Sequence, residues 1–127
     1  MAELNKIYKC NVCGNIVSVI VAGKGALVCC GQEMELLEEK TAAEEGKEKH
    51  VPVVEISGNN VTVKVGSVPH PMEEGHYIAL VQILKGDKVV AGKRLYPGDK
   101  PEVSVCLDST EGIRARELCN VHGLWKG

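Results

Sequence analysis

The chain has 127 residues, 44% of them hydrophobic, and a formal net charge of −2. That length bounds it to one ordinary domain, or to one small and one modest domain, and the interspersed, slightly acidic charge excludes nucleic acid as the default partner. With three Tyr, one Trp and no Phe, the core must be built from Val, Ile and Leu, which favours strands.

The first nine residues, Met1 to Lys9, carry no apolar run and no small-residue cleavage site, so no signal peptide is expected. The longest apolar stretch, Ile16 to Ala22, is short and broken by Ser18, so no membrane span is expected. The expected location is cytoplasmic, where the six cysteines read as metal ligands or reduced thiols rather than disulfides.

Residues 1–37 form a first unit. Ile7 to Cys10 and Ile16 to Val21 read as strands around a turn at Cys13-Gly14-Asn15, and Ala26 to Val28 as a third after Gly23-Lys24-Gly25. So small a unit cannot bury enough surface unaided and needs a metal, a disulfide or a partner. Cys10, Cys13, Cys29 and Cys30 offer the metal. Cys10-Asn-Val-Cys13-Gly14 is a knuckle that turns both thiolates to one side. Cys29 and Cys30 are adjacent, so both reach one ion only through a strained backbone, and a distorted tetrahedron is expected. Four thiolates suit zinc or iron equally by geometry.

Residues 38–49 are charged and read as a linker. From His50 onward the pattern is all-β: Val51 to Ser57, Asn60 to Gly66, Tyr77 to Lys85, Lys88 to Leu95, Glu102 to Leu107 and Ile113 to Leu118, with turns at Gly58-Asn59, Gly86-Asp87 and Pro97-Gly98-Asp99. An antiparallel sandwich with immunoglobulin-like packing is expected over residues 50–127. No internal repeat is found. Cys106 reads as a core thiol on a strand.

The chain's four histidines, His50, His70, His76 and His122, all fall in this second region. Pro69 and Pro71 stiffen the backbone around His70. Cys119 and His122 sit three apart in a turn. The expectation is that all four imidazoles and the Cys119 thiolate converge on one iron. Imidazoles suit iron, copper or zinc, and an added thiolate favours a redox-active ion. A copper electron-transfer site is the rival, but no Met follows His122 and two histidines would be left over.

Taken together, Cys10-x-x-Cys13, Cys29-Cys30, Glu48-Lys49-His50-Val51-Pro52, His70-Pro71-Met72-Glu73-Glu74-x-His76 and Cys119-Asn120-x-His122-Gly123 resemble desulfoferrodoxin, the two-iron class of superoxide reductase. The resemblance covers essentially the whole chain. It implies a desulforedoxin-like first unit with iron in four thiolates. It also implies a square-pyramidal ferrous iron in the sandwich, with His50, His70, His76 and His122 equatorial and Cys119 axial. It further implies one-electron reduction of superoxide to hydrogen peroxide, a rubredoxin-type or reductase donor, and a homodimer. Lys49 would attract the anion and order a proton-donating water, and Glu48 would take the open position once the iron is ferric. Glu73 and Glu74 are read as solvated charges.

Overall fold

The computed structural model describes residues 2–41, 50–65 and 71–127, and every element in them is a strand. The chain divides into two compact units, residues 1–38 and 39–127. Among the described residues no helix is long and apolar enough to cross a membrane.

The first unit holds five short strands: β1 (Ile7–Lys9), β2 (Ile16–Ser18), β3 (Val28–Cys29), β4 (Gln32–Glu33) and β5 (Glu35–Leu36). They form a sheet of order β2-β1-β5 and a separate hairpin of β3 and β4. β2 is shorter than expected: it stops at Ser18, and Ile20 and Val21 stand 83% and 84% exposed. A small cluster of Ala2, Tyr8 and Val19, with Leu27 and Met34 against it, supports the unit. A core this size leaves the unit dependent on its metal site or a partner, as its length implied.

Among its described residues the second unit is an antiparallel sandwich of seven strands: β6 (Pro52–Ser57), β7 (Asn60–Val65), β8 (Ile78–Lys85), β9 (Lys88–Arg94), β10 (Glu102–Cys106), β11 (Ile113–Cys119) and β12 (Gly123–Lys126). One sheet runs β10-β7-β6 and the other β12-β11-β8-β9. Alternation puts Val61, Val63 and Val65 of β7 and Val103 of β10 on the inside, against Ile78, Val81 and Ile83 of β8 and Ala115 and Cys119 of β11. The same period-two rule corrects the reading of Cys106. Val103 and Val105 face in, so Cys106 falls on the outer face and is exposed.

Two features were not expected. β12 adds a strand where only a ligand-bearing turn was foreseen, pairing Leu124 with Leu118 and Trp125 with Glu117. The segment read as a linker is in part attached to the sandwich. The Lys40 N–H donates to Leu124 O at 2.8 Å, the Lys126 N–H donates to Lys40 O at 2.9 Å, and Glu39 pairs with Arg114 at 3.0 Å. Residues 42–49 lie outside the described residues.

Candidate metal centres

Each centre is built on the same five-residue turn. Cys10-Asn-Val-Cys13-Gly14 and Cys119-Asn-Val-His122-Gly123 differ only in the fourth residue. In both, the N–H of the fourth residue donates to the sulfur of the first at 3.4 Å. In both, the closing glycine has positive φ, 84° at Gly14 and 87° at Gly123, which an L side chain rarely adopts. Such a turn leaves two ligand atoms on one side and an amide hydrogen bond on the sulfur. This short repeat was present in the sequence and was missed, because a search at domain scale passes over five residues.

In the first unit the sulfurs of Cys10, Cys13, Cys29 and Cys30 all lie within 4.8 Å of one another. Cys13 and Cys29 are 3.6 Å apart and Cys29 and Cys30 3.9 Å. A tetrahedron with metal–sulfur bonds of about 2.3 Å has edges of about 3.8 Å, so the cluster fits one ion. The strain expected of the adjacent pair is real: Cys30 has φ +52°, left-handed for a non-glycine residue, and Gly31 follows at +76°. The Cys13 N–H aimed at its sulfur draws the Cys10 thiol down to about 6. Hydrogen bonding with the Cys13 and Cys10 sulfurs pushes Cys29 up to about 12, and the Cys13 sulfur raises Cys30 as well. One thiol ionises readily and its neighbours resist, which is how crowded thiols behave until a cation offsets their shared charge. Cys10 is buried, while Cys13 and Cys30 are exposed, so the cluster has one face towards solvent.

In the second unit, ligand atoms of His50, His76, Cys119 and His122 likewise lie within 4.8 Å of one another. His50 Nε2 and His122 Nδ1 are 3.1 Å apart, and Cys119 Sγ is 3.8 Å from the same Nδ1. Two nitrogens at about 2.1 Å from an ion and at right angles are about 3.0 Å apart, so His50 and His122 are spaced as adjacent ligands. The donor set of imidazoles and one buried thiol suits a redox-active transition ion. His70, Glu48 and Lys49 lie outside the described residues.

Three devices converge these side chains. A register shift between Leu118 and Cys119 on β11 makes Cys119 face Ile78 rather than Ala79, and both end in the core. His50, 3% exposed, precedes β6 and stacks on Trp125 at 4.7 Å and 12°, so β12 supplies the wall that holds its ring. His76 closes a tight turn in which Glu73 and His76 exchange backbone hydrogen bonds of 2.9 and 3.1 Å. That turn is tied to the Cys119 knuckle by Asn120. Its Oδ1 accepts from the Tyr77 N–H at 2.8 Å, its Nδ2 donates to Gly75 O at 3.1 Å, and its own N–H donates to Tyr77 O at 3.1 Å. Neither Asn120 nor Trp125 was singled out from sequence. The matched Asn of the two knuckles was the available signal.

Glu117, two residues before Cys119, is 1% exposed and faces the interior beside Val81 and Trp125. Neither carboxyl oxygen has a hydrogen-bond partner among the described residues, and burial pushes the group up to about 9. It is therefore a neutral acid at pH 7 in the metal-free chain.

The fold and the two clusters define an all-β metalloprotein with two centres, one of four thiols and one of imidazoles with a single thiol. Residues 42–127 match the family model for desulfoferrodoxin, and residues 2–37 match the model for the desulfoferrodoxin N-terminal domain. The chain is 56% identical over 126 residues to a desulfoferrodoxin homolog of Archaeoglobus fulgidus, covering 99% of this chain and 98% of that one. It is 51% identical to the desulfoferrodoxin of Nitratidesulfovibrio vulgaris, again over 99% and 98%. Its fold superposes on the crystal structure of the superoxide reductase from Treponema pallidum with a TM-score of 0.74 and 31% identity, over 96% of each chain. The chain belongs to the desulfoferrodoxin family.

Proposed function

We propose that the protein is a superoxide reductase of the two-iron class, reducing superoxide by one electron to hydrogen peroxide at its imidazole–thiolate centre. The observation that carries this reading is the buried Cys119 thiol gathered with three imidazoles in a chain of this family. Bound there, ferrous iron supplies the electron: one superoxide, one electron and two protons make one hydrogen peroxide.

The chain's own residues set the conditions. His50, His76 and His122, together with His70 and the Cys119 thiolate, would hold that iron. The His122 N–H donates to the Cys119 sulfur and moderates its donation. Lys49, next to His50 in sequence, concentrates the anionic substrate at the site. Glu48, beside Lys49 in sequence, would offer a carboxylate, a donor that suits the harder, oxidised ion. Cys10, Cys13, Cys29 and Cys30 would hold the second iron, which would supply an electron-carrying centre for a rubredoxin-type or reductase donor, and the exposure of Cys13 and Cys30 supports electron entry there. The reading includes a cytoplasmic homodimer. The exposed Ile20, Val21 and Val28 on a unit with a minimal core are what a partner would cover.

The test is metal analysis combined with superoxide consumption. Two irons per chain are expected, and Cys119→Ser should abolish superoxide reduction even where metal is retained, because a serine hydroxyl stays protonated and donates poorly. A Cys119→Ser variant that consumes superoxide at the wild-type rate would refute the role given to the Cys119 thiolate.

A further inference from the structure

Lys40 lies between the two stretches that the family models match, residues 2–37 and 42–127. In sequence it belongs to a run of solvated charges. The structure gives it a fixed place. Its backbone is locked to β12 by the hydrogen bonds with Leu124 O and the Lys126 N–H, at 2.8 and 2.9 Å. Its side chain then runs along the turn that carries Cys119 and His122. Nζ donates to the His122 carbonyl at 2.9 Å and lies 5.3 Å from the centroid of the Trp125 ring, the ring that stacks on His50. The passage is close at Gly123, where a Cβ would stand 3.7 Å from Nζ and 3.9 Å from Cε. A cation is thus held against the backbone of one imidazole ligand and over the aromatic wall behind another.

We propose that Lys40 is a charge-tuning residue of the imidazole–thiolate centre, favouring the ferrous over the ferric state. The sign follows from charge alone. Before a carboxylate such as that of Glu48 joins it, a site of neutral imidazoles and one thiolate carries one positive charge when ferrous and two when ferric. A fixed cation nearby opposes the second more than the first. The site must be ferrous to reduce superoxide, so the lysine acts in the useful direction. Its ammonium is exposed to solvent, so the effect is in the range of exposed charges, roughly a two- to fivefold change in the ferric-to-ferrous ratio at a fixed potential.

This inference rests on the second centre holding iron, and the experiment separates the two. The iron-loaded full chain is titrated anaerobically against redox mediators as wild type, Lys40→Gln and Lys40→Arg, with the four-cysteine iron as internal reference. A wild-type chain with no titrating iron at the second centre would refute the functional reading itself. With iron present, Lys40→Gln should raise the ferric-to-ferrous ratio of the second centre two- to fivefold, and Lys40→Arg should leave it near wild type. The first centre should not move, and the Gln effect should shrink in molar salt, which screens exposed charge. Gln can still donate to the His122 carbonyl, so a Gln variant that titrates like wild type would reduce Lys40 to a hydrogen bond and overturn the proposal. So would an Arg variant that shifts as far as Gln. Loss of the second iron from the Gln variant would also overturn it, because removing a like charge should favour a bound metal cation.

Discussion

Replacing Asn120 by alanine removes the side-chain part of the tie between the His76 turn and the Cys119 knuckle, leaving the Asn120 N–H to Tyr77 O bond and every candidate ligand in place. The side chain makes two hydrogen bonds, accepting from the Tyr77 N–H at 2.8 Å and donating to Gly75 O at 3.1 Å. Tyr77 is half-buried, so its amide is left with a poor alternative, at about 1–2 kcal/mol. Gly75 is exposed and water can replace the second bond, so its loss costs about 0.5–1 kcal/mol. The sum, roughly 1.5–3 kcal/mol, corresponds to a shift of roughly 10- to 150-fold in an unfolding equilibrium. Metal affinity at this centre should fall by about tenfold or more, as it does when an outer-shell partner is removed. Urea unfolding followed by Trp125, the chain's one tryptophan and a residue of the second unit, reads the stability. Release of iron to a chelator reads the site. Asn120→Asp keeps the acceptor for Tyr77 and loses only the donor to Gly75, so it should fall nearer wild type. An alanine variant with the wild-type urea midpoint and iron-release rate would refute the argument, as would an Asp variant no better than alanine.

Three further outcomes are expected. Cys13→Ser should disturb the four-thiol iron while superoxide reduction persists with an artificial donor, because the two clusters lie in separate units; metal analysis of the variant checks it. Glu117→Gln should flatten the pH dependence of the metal-free chain. The folded state keeps the Glu117 proton up to about pH 9 while the unfolded chain releases it above about 4.3, so stability is full below about 4.3 and declines from there towards 9. The decline reaches about 4 kcal/mol at pH 7, and urea titrations across that range should show it in wild type and not in the variant. Lys49→Ile should keep both irons yet slow the encounter with superoxide and weaken its salt dependence, read by pulse radiolysis over a salt series.

The two clusters, Cys10, Cys13, Cys29 and Cys30 in one and His50, His76, Cys119 and His122 in the other, were legible because metal chemistry is written locally. Cys10 and Cys13, or Cys119 and His122, need only a three-residue turn to meet, and the adjacent Cys29 and Cys30 announced the strain later found at Cys30. The sandwich was legible from β-branched alternation over Asn60–Val65 and Ile78–Lys85. What escaped depends on tertiary placement. Trp125 is a four-residue strand's contribution, and only the β11 register reveals that it backs His50. Lys40 looked like solvated charge because its partners lie more than eighty residues away, the His122 carbonyl among them. Cys106 was misplaced because β10 buries a single face: Val103 and Val105 turn inward, and Ser104 and Cys106 are exposed.

The most direct test of the central claim is the yield of hydrogen peroxide per superoxide consumed, with a reduced donor present and dioxygen monitored. Reduction turns each superoxide into one peroxide, draws one electron from the donor and evolves no dioxygen. The account predicts that one-to-one ratio. One peroxide per two superoxides, with dioxygen released and the donor untouched, would mean dismutation and would contradict it.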